Sequence, residues 1–295
     1  MKRISSIVAL SSLAGLFCVS TLFADQGTAE KHLLQYQFSP GEIFRTRVTH
    51  LVSLETTIQG VTETARTRSV SLKAWNVHEV SEDGHVTFDY VIESVNMWQQ
   101  MSGRQEVRYD SSQDEQPPPE YQHVAGSVGQ PMATITIAPH GKIVDRANSL
   151  SQFNPGIGEL TITFPEEPIP VGHRWATEGE LPLRARPSDP IKRVRLRQQY
   201  TLERVQTGVA TISVATQVLT PLNDPTLESQ LIQRLKRGEI KFDVDAGRII
   251  SQQMDTDESV VGFNGPDSNM KYLSRLSEEV VREERVADRS GTTTR

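Results

Sequence analysis

The sequence predicts a mainly β protein made of two similar antiparallel β-units, an internal duplication, with one short helix. Two observations indicate β structure: apolar and polar residues alternate with a period of two, and turn-forming residues bound the alternating runs. A third observation, similar segments in the same order in both halves, indicates the duplication. The chain has 295 residues, and 36% of them are hydrophobic. This share is enough for a packed core, so global disorder is excluded.

Residues 1–24 have the features of a secretory signal peptide. Lys2 and Arg3 precede an apolar run, and Ala24 ends it with a small residue suited to cleavage. Bulky residues before Cys18 argue against lipidation, so the mature chain is expected to be free of cysteine. We expect an exported protein, periplasmic or secreted, with no integral membrane segment after signal removal. An uncleaved membrane anchor is the alternative.

The charge balance excludes a general nucleic-acid binder. The chain carries 31 basic and 37 acidic residues, and loss of Lys2 and Arg3 with the signal leaves 29 against 37, a net charge of −8. A phosphate backbone is held by a surplus of Lys and Arg, which this chain lacks.

The first β-unit is assigned to residues 25–150. Alternation predicts its strands, and a Ser-Glu-Asp-Gly turn at 81–84 joins two of them into a hairpin. Consecutive prolines at 117–119 favour an extended, solvated chain, so a long surface loop is expected over 102–131. The predicted strands of this unit cover 41–52, 69–80, 85–97 and the hairpin 132–144.

The second β-unit is assigned to residues 151–287, because its segments repeat those of the first. In each match a glycine or an aromatic residue occupies the corresponding position, and the last match shares a Gly-basic-Ile turn. The matched segments are 40–44 with 171–175, 73–88 with 199–212, and 133–144 with 239–250.

The one helix is expected at 225–236. Asp224 supplies an N-cap acceptor, Pro225 suits the first helical position, and every fourth residue from Leu227 is leucine on one face. Residues 271–284 fit either helix or strand, and the hairpin context favours a strand. The tail 288–295 is expected to be disordered, since it holds only polar and small residues.

The motifs for chemistry are weak, and no catalytic, cofactor-binding or metal-binding residue is assigned. The seven histidines lack metal-site spacings. The stretch Asp243–Gly247 is similar to the start of a calcium loop, but Met254 stands where the bidentate glutamate belongs. Phosphate-cradling and nucleophile-elbow motifs are absent from the sequence.

The aromatic residues offer a candidate binding surface. Most are expected in the core, because alternation puts them on one face of a strand. Trp98, Trp175 and His173 lie at strand ends, where a ring can stay partly exposed and contact a partner, so these three residues form the predicted binding surface.

The segment 164–175, with its Pro-rich approach to Gly172 and Trp175, resembles one in a family of exported, β-rich bacterial proteins whose function is unknown. The likeness extends from Tyr36 to about Glu284. It implies export and β architecture, and it implies no catalytic residue.

Three hypotheses about function remain open. The leading one is a non-catalytic envelope protein that binds a protein partner or an apolar small-molecule ligand on a sheet face. The second is a hydrolase whose site is assembled from dispersed residues, for instance His173 with Asp145. The third is a structural cell-surface protein that self-associates.

Overall fold

The computed structural model describes residues 30–148 and 160–281. It confirms the predicted fold class, since 59% of it is strand and 7% is helical, and the sheets are antiparallel. The predicted signal peptide 1–24 and tail 288–295 lie outside the described residues. None of the described helices is long and apolar enough to cross a membrane.

Fourteen strands and two short helices follow one another along the described chain. The strands are β1 Lys31–His32, β2 Ile43–Ile58, β3 Val61–Val80, β4 Val86–Met101, β5 Val107–Asp110, β6 Pro131–Ile137, β7 Ile143–Asn148, β8 Ile169–Pro170, β9 Arg174–Leu183, β10 Lys192–Gln206, β11 Val209–Val218, β12 Arg237–Asp243, β13 Arg248–Val261 and β14 Ser268–Val280. The helices are α1 Gln122–Ala125 and α2 Pro225–Leu231. Two 3-10 turns cover Pro119–Tyr121 and Ile232–Arg234.

One continuous sheet contains both predicted β-units. Its order is β7-β6-β4-β3-β2-β14-β13-β12-β11-β10-β9, with β5 paired to β4. The join between the units is the antiparallel pairing of β14 with β2, which runs from Ser268 opposite Ile58 to Val280 opposite Thr46. The division of the chain near residue 150 stays a prediction.

The strands form because alternate residues are buried on one face, here called the inner face. In β2, Phe44, Thr46 and Val48 are buried while the residues between them point outward. The 16-residue strand therefore has one face toward the core and one toward solvent.

The sheet curls, so strands from its two halves share one core. Trp75 of β3 stacks on Phe88 of β4 with 4.3 Å between ring centroids. The same buried cluster includes Ile212 of β11 and Phe242 of β12, strands from the far half of the sheet. The curl therefore encloses the inner face.

Two extended segments, here called the first strap (30–38) and the second strap (160–170), close one end of the curl. They pair with each other through β1 and β8. In the first strap the Tyr36 N–H donates to the carbonyl of Pro139 at 2.7 Å. In the second strap the Ile162 N–H donates to the hydroxyl of Tyr36 at 3.0 Å.

The α2 segment (225–234) lies at the opposite end of the curl from the straps. Its start is as predicted: Asp224 Oδ1 accepts from the Thr226 N–H at 2.9 Å. Leu227 and Leu231 pack against the inner faces of β9 and β10. The helix gives way to a 3-10 turn after Leu231, so it is shorter than the 225–236 span that the leucine spacing predicted.

The segment 102–131, expected to be a long loop, contains ordered elements. The strand β5 pairs with β4, and the 3-10 turn and α1 follow. Tyr109 and Tyr121 are buried there with Val95. The segment 271–284, interpreted as a strand, forms the greater part of β14 up to Val280.

Matching contacts occur at the start of each predicted unit. The Gly41 N–H donates to the Val77 carbonyl at 2.9 Å, and the Gly172 N–H donates to the Leu202 carbonyl at 2.7 Å. Both glycines have positive φ, 79° and 86°. These contacts occupy positions that the sequence matches align, but they do not establish a duplication, which stays a prediction.

Candidate functional site

A cavity of about 340 Å³ lies on the inner face, between the aromatic core and the α2 segment. Strands β2, β3 and β10 to β14 form its walls. Its lining residues are His50, Lys73, Gln198, Tyr200, Val214, Thr216, Gln233, Arg234, Lys236, Ile240, Gln252, Met254, Tyr272, Ser274, Leu276 and Glu278.

The lining carries more positive than negative charge. Lys73, Arg234 and Lys236 are cationic, whereas Glu278 is the single carboxylate among the lining residues. The two oxygens of Glu278 accept hydrogen bonds from Thr46 Oγ1 at 2.6 Å and from Gln252 Nε2 at 2.5 Å. The carboxylate is thus held by the wall itself.

The floor of the cavity is apolar, because it is the upper surface of the core. Val214 and Ile240 belong to the core cluster, and Met254 packs against it. Leu276 adds a further aliphatic side chain from β14. A ligand in this cavity would therefore meet aliphatic side chains of the core as well as the cationic side chains of the lining.

Hydroxyl groups in the lining are neutral at physiological pH. Burial raises the pKa of Tyr200 to about 12 and raises that of Tyr272 as well. The Tyr200 hydroxyl donates to Gln198 Oε1 at 2.9 Å. Thr216 Oγ1 is buried and has no hydrogen-bond partner within the described chain, which leaves one unsatisfied polar atom in this wall.

Trp175 and His173 lie next to each other at the start of β9, where their rings mainly pack against neighbouring aromatic rings. Trp175 stacks on Tyr200 with 5.4 Å between centroids, and its Nε1 donates to the Thr163 carbonyl at 3.0 Å. The His173 ring stacks on Trp175 at 6.4 Å. The indole N–H, which a partner would need, is therefore used by the second strap.

Trp98 lies elsewhere, on the outer face of β4, so the structure does not join it to the other two predicted residues. It lines a shallow groove of about 610 Å³ together with Leu51 and Leu273. Nearby, the hydrogen bond from Arg108 lowers the pKa of the Glu106 carboxyl.

The two residues named for the hydrolase hypothesis, His173 and Asp145, are not among those that line the cavity. His173 and Asp145 share no hydrogen bond or ion pair in the described chain. His78 Nε2 lies 2.9 Å from Asp89 Oδ2, but this pair is on the outer face, where 52% of the histidine side chain is exposed. The described residues contain no group of three or more side chains that could hold a metal ion. The hydrolase hypothesis gains no supporting geometry from these pairs.

Sequence reasoning missed the cavity residues, although a signal for them exists. His50 and Lys73 stand at positions of β2 and β3 whose neighbours in the alternation, Val48 and Trp75, are buried. Polar residues at inward positions of an otherwise apolar face indicate a cavity or a buried polar network.

Comparisons with known proteins define no family for this chain. No family model matches it, and no curated protein matches it. A lipovitellin structure, titled for its lipid-protein interactions, is similar over 83% of this chain and 26% of its own length, with 13% identity and a TM-score of 0.44. The chain thus spans about a quarter of that protein.

A second solved structure is DynF from the dynemicin biosynthesis pathway of Micromonospora chersina. It matches over 87% of this chain and 88% of its own length, with 6% identity and a TM-score of 0.23. At these TM-scores neither structure assigns a function to the chain.

Proposed function

We propose that the protein is an exported, non-catalytic binding protein whose inner cavity holds a small amphipathic ligand with an anionic group. The observation that carries this proposal is the composition of the cavity lining. It contains three cations and one carboxylate together with aliphatic side chains of the core. Export rests on the N-terminal sequence.

The charge excess favours an anion. Lys73, Arg234 and Lys236 outnumber Glu278 by two charges, and the sheet partly shields the cavity from solvent. Charges in a protein-lined cavity interact more strongly than charges in bulk water, so the excess favours a carboxylate, sulfonate or phosphate group. Each of these three cations also has an interaction partner within the protein.

The size of the cavity limits the ligand. A volume of about 340 Å³ is at the lower end of the range of roughly 300–1,000 Å³ for small-molecule sites. A single short acyl chain or an aromatic acid fits that volume, whereas a two-chain lipid exceeds it. The apolar floor at Val214 and Ile240 would contact the hydrocarbon part.

The experiment is a calorimetric titration of the purified protein with three compounds that share one chain length: decanoate, decanol and decyltrimethylammonium. We expect decanoate to bind at least about tenfold more tightly than the other two, because it alone pairs the cations of the wall. Equal affinity for all three compounds, or no binding of decanoate, would contradict the proposal.

Variants locate the binding in the cavity. Lys236→Gln should weaken decanoate binding about tenfold, and Ser274→Phe should abolish it by filling the volume. Lys271→Gln is the matched control, since Lys271 is exposed on the outer face of the same sheet. An equal loss in the control would mean that decanoate binds outside the cavity.

A further inference from the structure

The outer face of the sheet carries two adjacent rows of side chains across the join between the predicted units. The rows follow from the strand register and cross β4, β3, β2, β14 and β13 in that order. The first row is Trp98, Arg68, Leu51, Arg275 and Asp255, and the second is Gln100, Arg66, Ser53, Leu273 and Asp257.

The centre of the two rows holds two exposed leucines, next to Ser53 and Arg275. Leu51 is 43% exposed and Leu273 is 37% exposed, on the neighbouring strands β2 and β14. Together with Trp98 they line the groove of about 610 Å³. Contiguous exposed apolar side chains with a charged rim are typical of a protein interface.

The flanks of the rows carry opposite charge. On β3, Arg66 and Arg68 make no ion pair with any described residue, and Arg68 has only a 3.5 Å contact from Nη1 to Asn96 Oδ1. On β13, Asp257 likewise makes no ion pair in the described chain, while Asp255 is bonded to Arg275 at 2.7 Å. The face therefore has a basic side on β3 and an acidic side on β13, and Leu51, Leu273 and the ion-paired Arg275 lie between them.

We infer that a second copy of this chain packs on this face as a two-fold dimer. A two-fold axis in the interface, parallel to the strands between β2 and β14, places β3 of each copy over β13 of the other. Arg66 then faces Asp257 of the second copy, and Arg68 faces Asp255 of the second copy. Each such contact occurs twice, as an isologous interface requires.

The same two-fold axis also gives Trp98, the remaining residue at the β4 end of the first row, a partner in the second copy. Arg237 of β12 pairs with Asp255 in the sheet, so the axis directs Arg237 of the second copy toward Trp98. A guanidinium over an indole ring is a favourable contact. Two sheets packed face to face keep their strands within about 30° of each other, which this arrangement satisfies.

Sedimentation equilibrium of the purified protein tests the inference. We expect a dimer whose dissociation constant rises as NaCl is raised from 50 to 500 mM, because salt screens the exposed charge pairs. Arg66→Glu and Asp257→Arg should each weaken the dimer about tenfold or more, since each places like charges together. The double variant R66E/D257R should restore the association.

The control is Arg193→Glu. Arg193 of β10 forms an exposed ion pair with Glu180 of β9, and reversing its charge should leave the dimer unchanged. Circular dichroism checks that every variant is folded. A monomer at all concentrations would overturn the inference. A dimer whose dissociation constant changes neither with NaCl nor with Arg66→Glu or Asp257→Arg would also overturn it. Failure of the double variant to restore association would also overturn it. None of these outcomes depends on ligand binding in the cavity.

Discussion

At the scale of single residues, the turn glycines of the strapped end have the clearest physical role. Gly141 has a φ of 87°, and a Cβ atom there would lie 2.1 Å from the Ile162 carbonyl oxygen of the second strap. Gly247 has a φ of 63°, and its Cβ would lie 2.6 Å from the Gln37 nitrogen of the first strap. Both turns were predicted from the Gly-basic-Ile pattern, but their contact with the straps could not be.

Gly141→Ala should destabilise the protein more than Gly172→Ala. Both positions require positive φ, 87° and 86°, which costs an alanine about 1–2 kcal/mol. Nothing lies within 4 Å of a Cβ at Gly172, whereas at Gly141 the second strap must move, so we expect a loss of about 3 kcal/mol or more. Urea unfolding measures both, and equal losses would contradict the strap contact.

Stability should fall above pH 10 partly because of Tyr200. Its phenol has a pKa of about 12 in the folded protein against about 10 when unfolded, so the unfolded chain releases the proton first as pH rises. The stabilisation is complete below pH 10 and is lost between pH 10 and 12, at about 1.4 kcal/mol per pH unit. Tyr200→Phe should reduce the difference in unfolding free energy between pH 8 and pH 11. An unchanged difference would show that Tyr200 does not titrate in this way.

The predicted binding residues show what alternation can and cannot supply. It places Trp175 correctly near the start of a strand, whereas β4 continues for three residues beyond Trp98. It cannot show that the second strap covers the indole N–H of Trp175, because that contact joins segments with no shared pattern. For the same reason the cationic cavity, assembled from seven strands and the α2 segment, could not be predicted from any one stretch of sequence.

At the scale of elements, short sequence signals predicted where a helix or strand begins, but not what a segment packs against. The Asp-Pro start of α2 is a local signal, and the helix begins there although it ends before the expected residue 236. The hairpin context of 271–284 favoured a strand, and most of β14 lies in that segment. The segment 102–131 is different, because its burial depends on Val95, a residue of another strand. Proline content indicates an irregular chain but does not reveal what that chain packs against.

Asp224→Ala should lower stability by about 1 kcal/mol, because it removes the acceptor for the Thr226 N–H at the start of α2. Asp224→Asn keeps an acceptor and should cost much less. The α2 segment contributes Arg234 to the cavity, so the alanine variant should also weaken decanoate binding. Thermal unfolding and titration measure the two effects, and an alanine variant as stable as the asparagine variant would contradict the cap.

At the scale of the whole molecule, the decisive contact is the pairing of β2 with β14. It joins Arg47 to Glu279, residues 232 positions apart, and turns two predicted units into one sheet. Alternation predicts β2 and the hairpin context favours a strand at β14, but neither signal carries information about which distant strand becomes the neighbour. The predicted architecture of similar units therefore lacked the feature that makes the sheet continuous.

Refolding should be slow, because this pairing closes a very long loop before it stabilises the fold. Non-local β topologies fold on a scale of milliseconds to seconds even in small domains, so we expect seconds or longer here. Stopped-flow fluorescence can follow it through Trp75, which stacks on Phe88 in the core. Complete recovery within a few milliseconds would contradict the expectation.

The straps seal one mouth of the curled sheet with backbone hydrogen bonds and aromatic rings, and the other mouth is occupied by a helix of only seven residues. In the part of the chain that the structure describes, Gln233 and Arg234 of the α2 segment belong to the cavity lining, so a ligand that leaves toward this end passes them. Because Leu227 and Leu231 anchor that helix, we expect their truncation to change the association and dissociation rates of a ligand by similar factors and its affinity by less.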